Sequence, residues 1–326
     1  MRALVTGGTG FVGANLVDGL NTAGHTARVL RRETSRLDAL DGLTYEEVVG
    51  DILDYDSLIP AMEGCDWVFH AAAVSDYWRQ GTARLYEVNV EGTRNVLQAA
   101  QTAGIKRLVY TSSMVALGIP PFGQSMDETH EFNVSPRRFP YAHSKHLAEQ
   151  EVQKAVRNGL EAIIVNPAVI IGPRDVNNIS GSIGFLVARG WVRFYLPGGV
   201  NCVAVEDVVA GHIAAAERGR PGERYILGGE NLPVRQVIDA VVELSGAPRP
   251  LFTLPRWIIE PAALAVAAAQ RVLANRLPFD ADQVRMSGQT VYVRSDKAIR
   301  ELGLPQTPFR LAVERAYRWF KQNGYL

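Results

Sequence analysis

The sequence of 326 residues predicts an α/β fold, in which a doubly wound parallel sheet is followed by a smaller, mostly helical C-terminal lobe. Two observations predict it. Short apolar runs alternate with helical patterns through the first half, as expected when helices cover both faces of a parallel sheet. After Pro167, glycine and proline become more frequent and helical patterns predominate. The expected strands are 2–6, 26–31, 44–49, 66–70, 107–111 and 161–165, and the expected helices are 11–23, 55–63, 83–103 and 141–157.

The change in composition near Pro167 also predicts the domain organisation. We expect residues 1–166 to form the sheet domain and residues 167–326 to form the second lobe, at the carboxyl edge where open α/β sheets bind ligands. Residues 203–227 contain another strand–helix–strand pattern that we expect to return to the main sheet. The boundary is therefore not a single cut.

Charge and cysteine content exclude several classes of protein. The 34 basic and 34 acidic residues cancel, so nothing indicates a nucleic-acid partner or an anionic membrane surface. Cys65 and Cys202 are too few for a disulfide framework and lack metal-ligand spacing. They are interpreted as free thiols of a reducing compartment, and no metal is expected.

Targeting signals are also missing from the pattern. The N-terminal apolar run is only one strand long and is followed by glycines, whereas a signal peptide has a charged region followed by a longer apolar region. We therefore expect a cytoplasmic protein. Residues 257–273 are strongly apolar, but polar residues interrupt them and they fall short of the ~20 residues of a membrane span. A buried or substrate-covering helix is favoured over membrane contact.

A glycine-rich turn joins the first strand to the first helix and predicts dinucleotide binding. Its first glycine permits the bend, the second lets a pyrophosphate approach the backbone, and the third lets the helix pack closely on the strand. The amides at the helix start then face the phosphates. This context predicts a Rossmann-type sheet domain. The turn residues assigned to the cofactor are Gly7, Thr9, Gly10, Phe11, Val12 and Gly13.

The end of the second strand bears on the choice of cofactor. NAD-binding units place an acidic residue there for the ribose hydroxyls, whereas this chain has Arg31 and Arg32. A guanidinium can grip a 2′-phosphate, so NADP(H) is preferred and NAD(H) remains possible. The alternative is a pair of solvated arginines.

Two further strand ends carry predicted cofactor contacts. Asp51 and Ile52 follow the third strand, where a carboxylate could meet the adenine amino group. Ala71, Ala72 and Ala73 follow the fourth strand, and their small side chains would let the cofactor lie against backbone.

The catalytic hypothesis rests on Tyr141 and Lys145, which are four residues apart at the start of a helix and share one face. An ammonium beside a phenol stabilises the phenolate, and lowering its pKa from 10 to 7 requires roughly 4 kcal/mol. The strand 107–111 ends in hydroxyls, of which Ser113 could bind a substrate carbonyl. The alternative for Ser112 or Ser113 is a turn or cap residue.

The chain resembles an extended short-chain dehydrogenase/reductase over nearly its whole length. The resemblance implies that Ser113, Tyr141 and Lys145 are the catalytic triad. It also implies that Asn89 holds backbone or cofactor geometry, and His143 lies at no position that such enzymes use for chemistry. Further cofactor contacts implied by the resemblance are Thr111, Pro167, Ala168 and Val169. The matching motifs, in family order, are 6–13, Gly50-Asp51, 70–73, 89–93, 111–113, Tyr141 with Lys145, Asn166-Pro167 and Gly172-Pro173.

Within that family the chain resembles the dihydroflavonol reductase and 3β-hydroxysteroid dehydrogenase branch. Enzymes of nucleotide sugars typically contact the diphosphate through residues that are replaced here by Val169, Val200 and Asn201. An apolar pocket is expected instead. Its proposed contacts are Ser75, Tyr77 and Trp78, with Phe122, Phe185, Trp191 and the 257–273 segment as further lining.

The sequence thus predicts an NADPH-dependent oxidoreductase that reduces an apolar ketone or aldehyde, or catalyses the reverse reaction. One alternative is a nucleotide-sugar epimerase or dehydratase that retains NAD. A second is a non-catalytic NADP(H)-sensing protein, against which the complete triad argues. The family resemblance also implies a possible homodimer through helices near 83–103 and 141–157.

Overall fold

The computed structural model describes residues 1–75, 81–176, 182–273 and 281–326. Its strands are β1 (Arg2–Thr6), β2 (Thr26–Arg31), β3 (Glu46–Val49), β4 (Trp67–His70), β5 (Arg107–Thr111), β6 (Ser125–Met126), β7 (Ala162–Pro167), β8 (Val169–Ile171), β9 (Phe194–Tyr195), β10 (Gly199–Ala204), β11 (Arg224–Leu227), β12 (Glu230–Pro233), β13 (Phe252–Thr253) and β14 (Thr290–Val293). Its α-helices are α1 (Phe11–Thr22), α2 (Tyr55–Met62), α3 (Thr82–Tyr86), α4 (Gly92–Thr102), α5 (Pro140–Arg157), α6 (Ser182–Ala188), α7 (Val205–Arg218), α8 (Val234–Ser245), α9 (Ile259–Leu273), α10 (Ala281–Ser287), α11 (Asp296–Leu302) and α12 (Phe309–Gln322).

A seven-stranded parallel sheet in the order β3-β2-β1-β4-β5-β7-β11 forms the centre of the molecule. The chain runs outward from β1 to β3 and then crosses back to β4. This reversal opens a crevice beside the carboxyl ends of β1 and β4, where such sheets bind ligands. The predicted Rossmann-type fold is confirmed.

The central strands β1, β4, β5 and β7 are largely apolar and buried on both faces, whereas β3 at the edge of the sheet is only partly buried. Ala3 and Val5 of β1 face a core completed by α1 and α7, whereas Leu4 between them faces the core beneath α2, α4 and α5. Side chains of one strand alternate between the two faces, so both cores depend on β1. The helices thereby fix the carboxyl edge of the sheet from both sides.

The helix expected over 83–103 is interrupted. Between α3 and α4 the residues Glu87–Glu91 form a π-helical turn. Such turns occur often at functional sites because the extra residue re-aims side chains. Here the turn contains Asn89, whose contacts are described below.

The C-terminal half contains more strand than the sequence predicts. A second sheet has the order β12-β10-β14-β6 with β8 beside β10, and β9 pairs with β13. Of the pattern at 203–227, β11 joins the large sheet and α7 packs on α1, whereas β10 lies in the second sheet. Among the helices of the described residues, none is long and apolar enough to cross a membrane.

Candidate active site

The glycine-rich turn lies at the carboxyl end of β1, beside the crevice. Gly7 has φ +71°, and a Cβ there would lie 2.6 Å from the amide nitrogen of Ala72. A Cβ on Gly13 would lie 2.1 Å from the carbonyl oxygen of Gly7. At Gly10 a Cβ would lie 3.3 Å from that same oxygen, with no other contact within 4 Å among the described residues apart from its own chain neighbours. Packing of the protein thus requires Gly7 and Gly13, whereas the position of Gly10 is less crowded.

The end of β4 is fixed next to this turn by buried hydrogen bonds. His70 Nδ1 lies 2.7 Å from Thr6 Oγ1, and its Nε2 lies 3.0 Å from Thr93 Oγ1. Burial lowers the pKa of His70 to about 3, so the ring stays neutral. The amide of Ala72 donates to Thr6 Oγ1 at 3.3 Å. Residues 71–73 follow at the open edge, where the sequence places cofactor contacts.

Asn89 holds the next stretch of backbone in place. Its Oδ1 accepts from the amide of Val74 at 2.7 Å, and its Nδ2 donates to the Val74 carbonyl and to Ser144 Oγ, both at 3.0 Å. One amide side chain thereby connects the loop after β4 to α5. The substrate candidate Ser75 follows directly and is partly buried. Tyr77 and Trp78 lie outside the described residues.

The second and third strands present the groups predicted for the adenosine end. Arg31 is paired with Glu47 of β3, and its buried Nε has no hydrogen-bond partner among the described residues. Arg32 is exposed, and within the described ranges its guanidinium makes no ion pair. Asp51 Oδ1 caps its own loop by accepting from the amide of Leu53 at 3.0 Å, and Ile52 is buried.

Ser113, Tyr141 and Lys145 converge at the carboxyl end of β5. Tyr141 is the second residue of α5, after Pro140, and its phenol interacts with the Ser113 side chain. Lys145 is 2% exposed; its Nζ donates to the carbonyl of Thr111 at 2.6 Å and lies 4.5 Å from the Tyr110 ring centroid. The two serines make different contacts, because Ser112 is buried and donates to Glu149.

Burial moves the pKa values of the two titratable groups in opposite directions. It raises the pKa of Tyr141 to about 12, although Ser113 opposes the shift, and it lowers the pKa of Lys145 to about 7, although Glu149 opposes that. The pKa of the phenol is therefore raised in the protein alone; the expected lowering depends on a bound, positively charged nicotinamide as well as on Lys145, and it stays a prediction. Removal of both groups from water outweighs the attraction of their neighbours. The phenol is therefore protonated at neutral pH.

A buried carboxylate on α5, that of Glu149, holds the strand ends on which the site is built. Glu149 is fully buried; its Oε1 accepts from Ser112 and, at 2.6 Å, from Asn166, and its Oε2 lies 2.8 Å from Nε of Arg224. Glu149 thereby ties α5 to β5, β7 and β11. Sequence reasoning missed it, although it lies four residues after Lys145 on the same helical face.

A second missed contact lies at the rim. Tyr86 Oη and His143 Nδ1 are 2.8 Å apart, and the ring of Phe132 lies 6.0 Å from that of His143. Burial lowers the pKa of His143. This geometry is compatible with the predicted position of His143 at the rim. Its pairing with Tyr86 was not predicted, because it depends on how α3 approaches α5 in the folded chain.

Two residues that the sequence analysis expects to line an apolar pocket are exposed instead. Phe122 and Trp191, expected in an apolar pocket, are 76% and 66% exposed because they lie on surface loops. The side chain of Phe185 lies outside the described residues. Burial raises the pKa of the Cys65 and Cys202 thiols, so neither is an activated nucleophile. Over the described ranges, no cluster of three histidine, cysteine or carboxylate side chains is arranged for a metal.

Comparison with known proteins places this geometry in a family. Residues 3–228 match the NAD dependent epimerase/dehydratase family. The chain is 41% identical, over 99% of its length and 95% of the relative, to a protein of Synechocystis sp. provisionally named dihydroflavonol 4-reductase. It is 36% identical to the sterol demethylase protein B of Methylococcus capsulatus, with full coverage of both chains. The crystal structure of gox2253 superposes with a TM-score of 0.88 at 39% identity, covering 100% of this chain and 99% of the other.

The fold, the glycine turn and these matches define the class of protein. The chain belongs to the NAD dependent epimerase/dehydratase family, which confirms the predicted extended short-chain dehydrogenase/reductase. It is an NAD(P)-dependent oxidoreductase whose relatives include named reductases and dehydrogenases.

Proposed function

We propose that this protein reduces an apolar ketone or aldehyde with NADPH, or catalyses the reverse oxidation. The observation that carries the proposal is the convergence of Ser113, Tyr141 and Lys145 beside the glycine-rich turn. A non-catalytic cofactor sensor has no need of a buried phenol that is aimed at the same edge of the sheet.

Each member of the triad has a distinct task. The bound nicotinamide would supply or accept the hydride. Tyr141, which is protonated at neutral pH, donates its proton to the carbonyl oxygen as the negative charge develops there. Ser113 donates a hydrogen bond to the same oxygen. Lys145, held by the carbonyl of Thr111, binds the ribose and stabilises the phenolate that remains.

The residues that we assign to the cofactor lie along the same carboxyl edge of the large sheet. Pyrophosphate would be held by the turn at 7–13, adenine by Asp51 and Ile52, and backbone at 71–73 would lie along the cofactor. Thr111, Asn89 and 167–169 would frame the nicotinamide end. Arg31 and Arg32 favour NADPH, because Arg31 retains a buried Nε without a partner in the described structure and Arg32 is exposed.

The proposal of an apolar substrate is supported by the side chains at the positions where enzymes of nucleotide sugars contact the diphosphate, because here they cannot donate to it. The amide of Asn201 is buried and already engaged, since Nδ2 donates to the Gly229 carbonyl at 3.0 Å and Oδ1 accepts from its amide at 2.8 Å. Val169 and Val200 offer no donors. We assign substrate contacts to Ser75, Tyr77 and Trp78.

The remaining proposals concern organisation. We divide the chain into a cofactor domain, 1–166 with β11 returning to it, and a substrate lobe, 167–326. Homodimerisation would pair α3, α4 and α5 with the same helices of a second copy. Within one chain, an ion pair between Arg94 and Glu151 at 3.2 Å joins α4 to α5. The free thiols support a cytoplasmic location.

Titration with NADPH and NADH in parallel, followed by assay of apolar ketones, tests this function. The wild type is expected to bind NADPH more tightly. Arg32→Ala should weaken NADPH binding by about one order of magnitude, the loss of one charge-assisted contact of roughly 1.5 kcal/mol, and leave NADH binding unchanged. Arg36→Ala, in the same loop, is the matched control. Equal affinity for both cofactors, or no ketone reduced, would contradict the proposal.

A further inference from the structure

One surface of the molecule, formed mainly by the C-terminal half together with the loop around Phe122, carries several exposed apolar side chains. Leu251, Phe122 and Trp257 are 82%, 76% and 74% exposed. Single exposed hydrophobic residues are normal, whereas a contiguous set marks an interaction surface. The aromatic patch, as we call this surface, consists of Phe122, Trp191, Phe194, Leu251, Phe252 and Trp257.

Direct contacts make the aromatic patch continuous. Phe194 and Phe252 are neighbours in register where β9 pairs with β13. The amide of Leu251 donates to the carbonyl of Arg193 at 3.1 Å. The guanidinium of Arg256 lies 4.2 Å from the Phe122 ring centroid, which joins that loop to Trp257. The segments 118–124, 189–195 and 246–259, of which the last two contain β9 and β13, therefore meet at one surface.

The charge of these segments is one-sided. They contain Arg189, Arg193, Arg249 and Arg256 but no aspartate or glutamate, and Glu260, which follows them directly, is paired with Arg285. Arg249 has a distant ion pair with Glu243 at 3.7 Å, outside the segments. A chain whose 34 basic and 34 acidic residues cancel thus has a locally basic surface. The net charge alone does not reveal this arrangement.

We propose that the aromatic patch binds the surface of an anionic phospholipid bilayer. Tryptophan and phenylalanine side chains insert at the level of the headgroups, and arginines pair with anionic lipid. A second copy of the chain fits poorly, because a two-fold interface here would place the arginines of one protomer against those of the other. The protein would bind peripherally, without a spanning segment.

Vesicle co-sedimentation of the full chain tests this proposal without cofactor or substrate, so its result is independent of the proposed reaction. Phosphatidylcholine vesicles are compared with vesicles that also contain phosphatidylglycerol. The wild type should partition to the anionic vesicles, and added salt should weaken the binding. Arg193→Glu and Trp257→Ser should each reduce partitioning by about tenfold or more.

Arg300→Glu is the matched control, because it makes the same charge change on α11, which packs against α7 and β11. Arg300 is 68% exposed in its side chain, so this change should leave both the fold and vesicle binding intact. Thermal unfolding of each variant verifies the fold. No partitioning by the wild type would overturn the proposal, as would equal partitioning by the patch variants. A patch-dependent dimer in solution that ignores vesicles would also overturn it.

Discussion

At the scale of single residues, the charge of Lys145 depends on how completely the folded chain excludes water from it. Because the pKa of Lys145 is about 7, its side chain is mostly an uncharged amine just above neutral pH. Unfolding would restore a pKa near 10.4, so Lys145 destabilises the folded state fully below about pH 7, and this penalty fades as the pH rises from about 7 to about 10.4. A negatively charged cofactor reverses the balance by favouring the ammonium.

We therefore predict that NADPH binding at about pH 8 takes up a proton, and that little uptake occurs at about pH 6, where Lys145 is already charged. Calorimetry in two buffers of different ionisation enthalpy measures the uptake. Lys145→Met should abolish it. Lys154→Met, which removes an exposed lysine from the same helix, should not. An unchanged uptake in Lys145→Met would contradict this assignment.

The residue scale also shows the limit of sequence reasoning. The spacing of Tyr141 and Lys145 and their place after a proline could be predicted, because a helix brings residues four apart together. The direction of their pKa shifts could not, because it depends on how much water the folded chain excludes. The same applies to the pairing of Arg31 with Glu47, which is set by the register of β2 and β3.

At the scale of elements, the glycine-rich turn separates folding from binding. Gly10→Ala should fold normally, since its Cβ would meet one oxygen at 3.3 Å, but it should weaken cofactor binding by at least tenfold because the methyl group occupies the phosphate space. Gly13→Ala should destabilise the protein, since its Cβ would lie 2.1 Å from the Gly7 oxygen. Titration with NADPH and urea unfolding distinguish the two. Tight cofactor binding by Gly10→Ala would contradict this model of the turn.

Helix α5 depends on its buried carboxylate. Glu149→Gln removes the partner of Arg224 and should lower the free energy of unfolding by about 2–4 kcal/mol. It should also lower the catalytic rate, because the single amide oxygen of glutamine can serve either Arg224 or the donors Ser112 and Asn166, but not both sides. Glu151→Gln, two residues on with half-exposed partners, should cost about 1 kcal/mol or less. Urea unfolding measures both, and equal losses would show that burial of Glu149 has no special effect.

Elements were predictable to different degrees for physical reasons. The bounds of β1, β2 and β5 agree with the predicted strands because the positions that the sheet buries in each of them are mostly apolar. The π-helical turn at 87–91 was not predictable, because the apolar pattern continues through it. It forms where Asn89 turns to the backbone of Val74, a contact that only the folded chain provides.

At the scale of the whole molecule, the sequence predicted the doubly wound sheet, since alternating elements allow few other arrangements. It did not predict the second sheet, whose strands are short and separated by long stretches of chain. The exposed positions of Phe122 and Trp191 were also missed, because apolar character alone does not distinguish a pocket from a surface.

The central claim is that Tyr141 protonates a carbonyl oxygen while hydride moves between the cofactor and an apolar substrate. The most direct measurement follows deuterium from NADPH labelled at the transferring nicotinamide C4 position into the product, by mass spectrometry. The wild type should place the label on the new alcohol carbon. Tyr141→Phe should bind NADPH normally and transfer label about 10²–10⁴-fold more slowly. An undiminished rate in that variant, or no label in any alcohol product while a nucleotide sugar is epimerised, would contradict the account.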